Sequence, residues 1–258
     1  MNLSRRAALR AGGGLVAAAG LAGCVEQRVT KRTTEVESST HWALSPDVSE
    51  SLSASEFDTY VDEMKDRYGD SGVWGRESEQ PDNFETAYVQ QFAIKRDTPG
   101  DPGGTKASLR PGDVDPDAPL LFTDASVAIY SVGENRYRYW LWAAADANDS
   151  RLVRDIRLGA LSAGVRPQAG PIADAAKPST SGDEATVSLG TPPTATFPLR
   201  DGSLGTTTIR GEDGTYRVNW AGDVNGVQSV NGVCEEERTS AHEFFWTLSA
   251  GYRFETTE

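Results

Sequence analysis

Residues 126–146 read SVAIYSVGENRYRYWLWAAAD, and this stretch decides the fold class. Two runs rich in β-branched and aromatic residues flank Gly133-Glu134-Asn135, a composition typical of a hairpin loop between antiparallel strands. Similar alternation recurs in FETAYVQQFAI (84–94), TYRVNW (215–220) and HEFFWTLSAGYRF (242–254). It is typical of antiparallel sheets with one wetter face, whereas strands of parallel sheets are continuously apolar.

The alternation assigns residues to shared faces of the predicted strands. The predicted sets are Phe84, Thr86, Tyr88, Phe92 and Ile94; Tyr216, Val218 and Trp220; and Phe244, Trp246, Leu248, Ala250, Tyr252 and Phe254. Asn225-Gly226 and Asn231-Gly232 predict turns. The stretch SRLVRDIRLGAL (150–161) fits either a helix or a strand, and we favour a third strand of the meander.

One amphipathic helix is predicted in SASEFDTYVDEMKDRYG (53–69). Ser53 and Glu56 have the spacing of a capping box, and Gly69 supplies a stop. The residues that recur at helical spacing are Phe57, Tyr60, Val61, Met64 and Tyr68. The sequence therefore predicts an α+β fold, dominated by antiparallel sheet as a sandwich or half-barrel, with this helix near the start of the mature domain.

Composition divides the chain into three parts. Residues 1–23 have the layout of an export signal, and residues 24–45 are polar and indicate a tether or an edge strand. Residues 46–258 are predicted to be a single domain. Two stretches rich in Pro, Gly and small residues, 97–118 and 164–182, are predicted to be loose insertions.

The start of the chain combines two export motifs. Arg5 and Arg6 are followed by an uncharged run, residues 11–23, which is shorter than the roughly 20 residues that span a bilayer. The segment Ser4-Arg5-Arg6-Ala7-Ala8-Leu9 resembles a twin-arginine signal. Leu21-Ala22-Gly23-Cys24 resembles a lipobox, which implies cleavage before Cys24, lipid on its sulfur and anchoring to the outer face of the cell membrane.

The charge of the mature chain excludes some partners. Residues 1–23 hold three of the 25 basic residues and none of the 38 acidic ones, so their removal takes the net charge from −13 to −16. Such a surface repels the phosphates of nucleic acid. Only five of the basic residues are Lys, and this acidic, lysine-poor composition with the export motifs resembles the extracellular lipoproteins of salt-loving archaea.

The aromatic residues of the opening stretch allow two interpretations. Trp140 and Trp142 continue the face of Arg136 and Arg138, and an exposed face of this kind would bind a carbohydrate or a surface protein by stacking. The alternative, which we favour, is a central strand buried between the helix and another layer.

Two places in the sequence hold residue types found in metal sites. His41, His242, Cys234 and Met64 are the residue types of a blue-copper site, but no Met follows the Cys as such sites require. We therefore expect no cofactor and a small buried side chain at Cys234. In the loop GDVDPDAP (112–119), the acidic residues alternate as in a calcium loop, yet the Gly and final Glu of that motif are replaced; the candidates are Asp113, Asp115 and Asp117, with Asp124 at the last position.

No catalytic motif stands out. The sequence has no nucleophile elbow, zinc-protease motif, phosphate-binding loop or dinucleotide fingerprint. We therefore expect a non-catalytic binding or structural module, or an accessory subunit, anchored through Cys24. An extracellular hydrolase is the alternative, and a copper redox protein ranks below it.

Overall fold

The predicted helix forms where its capping signals place it. In the computed structural model, α1 spans Ala54–Tyr68, with Ser53 as N-cap and both hydrogen bonds of the capping box to Glu56 present. The chain leaves the helix through Gly69, whose φ of +91° lies in the region that favours glycine. The five predicted apolar residues are all buried: Phe57, Tyr60, Val61, Met64 and Tyr68.

The structure describes residues 31–34, 40–44, 51–76, 83–96, 104–109, 119–147, 150–151, 154–190, 194–211, 213–241 and 243–257. Their strands are β1 (Lys31–Thr34), β2 (Thr40–Leu44), β3 (Phe84–Arg96), β4 (Gly104–Leu109), β5 (Pro119–Gly133), β6 (Arg136–Asp146), β7 (Ser150–Arg151), β8 (Arg154–Pro167), β9 (Ile172–Ala175), β10 (Ser179–Ser181), β11 (Glu184–Ser188), β12 (Thr194–Pro198), β13 (Gly202–Ile209), β14 (Thr215–Val224), β15 (Val227–Glu237) and β16 (Phe244–Thr257).

These strands form three sheets. The central sheet has the order β4-β3-β5-β6-β15-β9, and the outer sheet has the order β1-β16-β8-β14-β13, with β2 also paired to β16 and β7 to β8. The small sheet has the order β10-β11-β12. The long pairings within them are antiparallel, which confirms the predicted α+β class with mostly antiparallel sheet.

Two apolar cores lie on the two faces of the central sheet. One core fills the space between the central and outer sheets, and the other lies between the central sheet, α1 and the small sheet. Successive residues of β6 alternate between them: Tyr139 and Leu141 enter the first core, and Trp140 and Trp142 enter the second. The opening stretch is aromatic on both faces because both faces are buried.

Several predicted details of the strands are confirmed. Glu134-Asn135 forms the turn between β5 and β6, with Asn135 at φ +58°, and Asn225-Gly226 joins β14 to β15. The shared faces predicted for β14 and β16 both point into the core between the central and outer sheets; their described residues are Tyr216, Val218, Trp220, Phe244, Trp246, Leu248, Ala250 and Tyr252.

The turn predicted at Asn231-Gly232 is wrong. Both residues lie inside β15, where a Cβ on Gly232 would stand 2.9 Å from the ring of Tyr216. Gly232 is therefore needed for close packing of the two sheets, not for a turn. Asn231 is buried, and its side chain donates to the Gly72 carbonyl at 2.9 Å.

The face predicted for β3 is interrupted by a bulge. The register with β5 shifts between Phe84 and Thr86. Phe84 packs toward α1, whereas Tyr88 enters the core between the central and outer sheets, so the two rings lie on opposite faces. One extra residue reverses the alternation, and no residue type in the stretch signals it.

Regular strands replace most of the second predicted insertion. β8 continues to Pro167, and β9 and β10 follow within 164–182. β8 is a strand, as favoured, but it joins the outer sheet beside β14 and β16 instead of continuing the meander. β15 and β16, which follow this segment, pair with β6 and β8, which begin before it. Within 97–118, the described part is the strand β4.

Candidate functional site

Trp140 and Trp142 are core residues. Each is 1% exposed, which excludes an exposed stacking platform and agrees with the central-strand interpretation. Trp140 stacks on Trp74 with ring centroids 3.3 Å apart and an interplanar angle of 10°. Trp142 meets the rings of Tyr60 and Tyr68 edge-on, so both indoles hold α1 and its neighbouring segment to the central sheet.

The arginines on the same face are also engaged within the chain. Glu235, on the neighbouring strand β15, accepts a hydrogen bond from Arg136 Nε at 2.5 Å and one from Arg138 Nη2 at 2.8 Å. These ion pairs lie at the end of the central sheet, beside Trp140 and Trp142. The face of β6 that the sequence suggested as a ligand surface is therefore covered by contacts within the chain.

The copper hypothesis fails on placement. Cys234 lies in the core between the central and outer sheets, and Met64 lies in the core beneath α1, on the opposite face of the central sheet. The two sulfurs therefore do not share a site. His41 belongs to β2, and His242 lies outside the described residues. Burial raises the pKa of Cys234 well above its usual value, which suits a buried apolar thiol.

The remaining sequence candidates fall mostly outside the described residues. These are Arg5, Arg6 and Cys24 of the export motifs, and Asp113, Asp115 and Asp117 of the acidic loop. Asp124 is described, and its carboxylate is bound by side chains within the chain. In the described part of the chain, no group of three or more His, Cys, Asp or Glu is arranged to hold a metal, and no helix is both long and apolar enough to cross a membrane.

A cleft of about 710 Å³ lies at one end of the sandwich. Three connections meet there: the β5–β6 turn, the β8–β9 connection and the segment that follows β15. The lining is mostly polar and contains Asn135, Gln168, Ala169, Gly170, Pro171, Glu237, Arg238 and Thr239. Concave sites of this size are the usual places for ligands.

Backbone hydrogen bonds fix the walls of the cleft. The N–H of Arg238 donates to the carbonyl of Asn135 at 2.8 Å, and the N–H of Glu237 donates to the carbonyl of Pro171 at 3.1 Å. Gly170 lies so close to the Glu237 carbonyl that a Cβ there would stand 2.0 Å from its oxygen. Glycine is therefore required at this wall, and the three connections form one rigid rim.

A buried ion pair lies behind the rim. Glu236 has no exposed surface, and its Oε2 accepts a hydrogen bond from Tyr139 Oη at 2.5 Å. Arg238 Nε lies 3.1 Å from the same oxygen. The guanidinium covers the ring of Tyr137, with Cζ 3.6 Å from the ring centroid, and donates to the Ser240 carbonyl at 2.6 Å. The packing of Arg238 thus joins the cleft to the end of the core.

The electrostatics of Glu236 follow from its burial. Desolvation raises the pKa of this carboxyl, although Tyr139, Arg238 and the backbone N–H groups of Ala169 and Gly170 act to lower it. A buried carboxyl with a raised pKa beside a cleft is a common property of functional sites. The wall formed by Ala169 and Gly170 separates Glu236 from the open space of the cleft. The direct effect of Glu236 is therefore to hold that wall in place.

A second buried carboxylate lies on the other face of the central sheet. Asp124 is 1% exposed; it forms an ion pair with Arg67 and accepts hydrogen bonds from Tyr68 Oη at 2.7 Å and Gln91 Nε2 at 2.6 Å. Burial and the nearby Asp124 charge raise the pKa of Tyr68 well above its usual value. This group connects α1 with β3 and β5.

Sequence reasoning did not find the Glu236 group. The run Cys234-Glu235-Glu236-Glu237-Arg238 offered a signal, because alternation along β15 places Glu236 on the buried face of Cys234. Its partner Tyr139, however, lies 97 positions away and becomes visible only when β6 is paired with β15.

Comparison with known proteins gives no match. No protein-family model fits the chain, and no curated protein and no solved structure is similar enough to it to be matched. The functional argument therefore depends on the geometry of the described residues.

Proposed function

We propose that this chain is an exported lipoprotein, anchored by lipid on Cys24 to the outer face of the cell membrane, whose sandwich is a non-catalytic binding module. The ligand site is the cleft lined by Gln168, Glu237, Arg238 and Thr239. The observation that carries the proposal is the position of this cleft, at the end of the sandwich far from the anchor.

The anchor end follows from the position of β1. Lys31 pairs with Thr257 at the end of β16, and only the short segment after Cys24 precedes it. At roughly 3.5 Å per residue, that segment reaches about 25 Å when extended. A lipid on Cys24 would therefore keep this end of the outer sheet close to the membrane surface.

The cleft lies at the other end of the same strand. Phe244, the first residue of β16, pairs with Pro167, and the N–H of Gln168 donates to the carbonyl of Glu243 at 2.7 Å. A strand of 14 residues is about 45 Å long at roughly 3.3 Å per residue. The cleft would then face away from the membrane, where a partner from outside can reach it.

The chemistry of the cleft favours binding over catalysis. Glu237 and Thr239 are exposed at the rim with the amide of Gln168, whereas the carboxyl of raised pKa, Glu236, has no exposed surface. These groups suit a polar ligand, such as a carbohydrate or a loop of a surface protein, fixed by several hydrogen bonds.

The anchor is tested by the intact mass of the protein from its native membrane. We expect a chain that begins at Cys24 and carries two acyl chains, and loss of the lipid in Cys24→Ser. Orientation is tested on whole cells with a bulky, impermeant maleimide. Thr239→Cys should be labelled, and the parent protein, whose Cys234 is buried, should not. An unlipidated mass or an unlabelled Thr239→Cys would contradict the corresponding half of the proposal.

Ligand binding is tested with a photo-crosslinking residue. Placed at Thr239 it should capture a surface component, and placed at Thr196, an exposed position on β12 outside the cleft, it should not. Equal capture from both positions, or none from Thr239, would argue against the cleft as the ligand site.

An extracellular hydrolase is the second candidate, and the raised pKa of Glu236 beside a cleft favours it. It ranks second because a general acid must reach the substrate, and Glu236 is walled off. Hydrolysis of nitrophenyl esters or glycosides by the purified protein, abolished in Glu236→Gln, would reverse this ranking.

A further inference from the structure

Among the described strands, none pairs with the outer side of β13, and the register on its inner side has no break. β13 forms this edge, and most of its residues are exposed, including Ile209 at 55%. Its register with β14 is continuous from Gly202, opposite Gly222, to Ile209, opposite Thr215. The outward side of the strand therefore presents eight residues of backbone whose other side is already paired.

Both edges of the central sheet, β9 and β4, carry features that block pairing. β9 at the edge of the central sheet has only four residues and a register shift against β15, and β4 contains Lys106. β13 reads GSLGTTTI and has no charge, no proline and no bulge. Proteins normally protect a long edge by one of these means, so an unprotected edge indicates a pairing partner.

We propose that β13 pairs with β13 of a second copy of this chain, antiparallel and across a two-fold axis. A strand that pairs with itself in this way needs no complementary charges, and the uncharged edge of a mature chain of net charge −16 is where two copies repel each other least. With the two-fold axis at Thr207, this residue lies opposite its own copy and Thr206 lies opposite Thr208, and Thr–Thr pairs across strands are favourable.

The direction of β13 determines how the two copies are arranged. The strand runs toward the cleft end, because Gly211, just beyond it, bridges to Ile172 of β9. Antiparallel pairing therefore places the two β1 ends at opposite ends of the dimer. For copies anchored as proposed above, this arrangement joins molecules on two facing membranes, with the outer sheets continuous between them.

The test is the mass of the full chain in detergent, measured by sedimentation with the detergent density-matched. We expect a dimer, and a monomer in the double variant Ser203→Lys with Thr207→Lys. Both side chains lie on the face of β13 away from the core, since their partners on β14 are Ala221 and Arg217. The matched control adds two lysines at exposed positions of β12, Thr194→Lys with Thr196→Lys, and should remain a dimer.

A cysteine scan tests the pairing itself. Ser203→Cys, Gly205→Cys and Thr207→Cys place thiols along one face of β13, and Gly205 has no atom within 4 Å of an added Cβ. Oxidation should give a disulfide-linked dimer at the position nearest the two-fold axis, and none at Thr196→Cys. A monomer at every concentration, a dimer that persists in the β13 lysine variant, or equal cross-linking through Thr196→Cys would overturn the proposal. None of these outcomes bears on the anchor or the cleft.

Discussion

Asp124 and Glu236 are two buried carboxylates with the same kinds of partner, an arginine and a tyrosine, on opposite faces of the central sheet. Asp124 is bound through both oxygens, by Arg67 and Tyr68 at one and Gln91 at the other. Both described side-chain partners of Glu236 meet Oε2, and Oε1 has no side-chain partner. Asp124 therefore connects α1 to the central sheet, whereas Glu236 supports the rim of the cleft.

The positions of the partners explain this difference. The partners of Asp124 come from α1 and β3, so removing the carboxylate loosens a whole layer. Arg238 is close to Glu236 along the chain and lines the cleft, so this group connects no second layer to the central sheet. The first group should therefore matter most for stability, and the second for the shape of the cleft.

The largest effect is expected for Asp124→Ala. This change leaves Arg67 without its counter-charge and leaves Tyr68 and Gln91 without their acceptor, which costs about 3–5 kcal/mol for a buried pair. Urea unfolding followed by Trp fluorescence measures the loss. The control is Asp58→Ala, which removes a more exposed ion pair with Arg76 and should cost about 0–1 kcal/mol. Equal losses in the two variants would mean that the Asp124 group does not join layers.

Glu236→Gln is expected to cost less, about 1–3 kcal/mol. The amide keeps an acceptor for Tyr139, and Arg238 retains its contacts with Tyr137 and the Ser240 carbonyl. The same unfolding measurement applies. A loss as large as that of Asp124→Ala would remove the distinction between the two groups.

The tyrosines provide a matched pair of smaller changes. Tyr68→Phe and Tyr139→Phe each remove one hydrogen bond to a buried carboxylate, at an expected cost of about 1.5–3 kcal/mol. Tyr139→Phe should also raise the pKa of Glu236 further, because its hydroxyl lowers that pKa. Carboxyl titration followed by NMR measures the pKa, and an unchanged or lower value would contradict the assigned role of Tyr139.

The smallest expected effect is on pH dependence. The pKa of Glu236 is raised in the folded protein, so between the unfolded and folded values the folded state binds more protons than the unfolded state. Stability contributed by Glu236 is then present below the unfolded pKa and falls as the pH rises through this window. The unfolding free energy of the parent minus that of Glu236→Gln, measured from pH 4 upward, should therefore decrease as the pH rises. An increase would refute the assignment.

The sequence was informative where structure depends on neighbours along the chain. The capping residues Ser53 and Glu56 predicted the start of α1, and alternation predicted the faces of β14 and β16. The sequence was misleading where contacts between distant strands determine the structure. Asn231-Gly232 looks like a turn until Tyr216 is packed against Gly232, and Glu236 looks like surface charge until Tyr139 is opposite. The cleft could not be predicted from the sequence, because its three connections come together only in the completed sheets.

The pairing of β6 with β15 also determines when the molecule can fold. In a chain made from its N-terminus, β6 and the tryptophans on it are complete long before β15 exists, since Tyr139 and Glu236 are 97 positions apart. Contacts of such long range slow folding, and the edge of β6 that β15 covers stays open to aggregation while synthesis continues, although β5 already pairs with the other edge. A chaperone that covers this edge of β6 would therefore protect the chain until β15 is made.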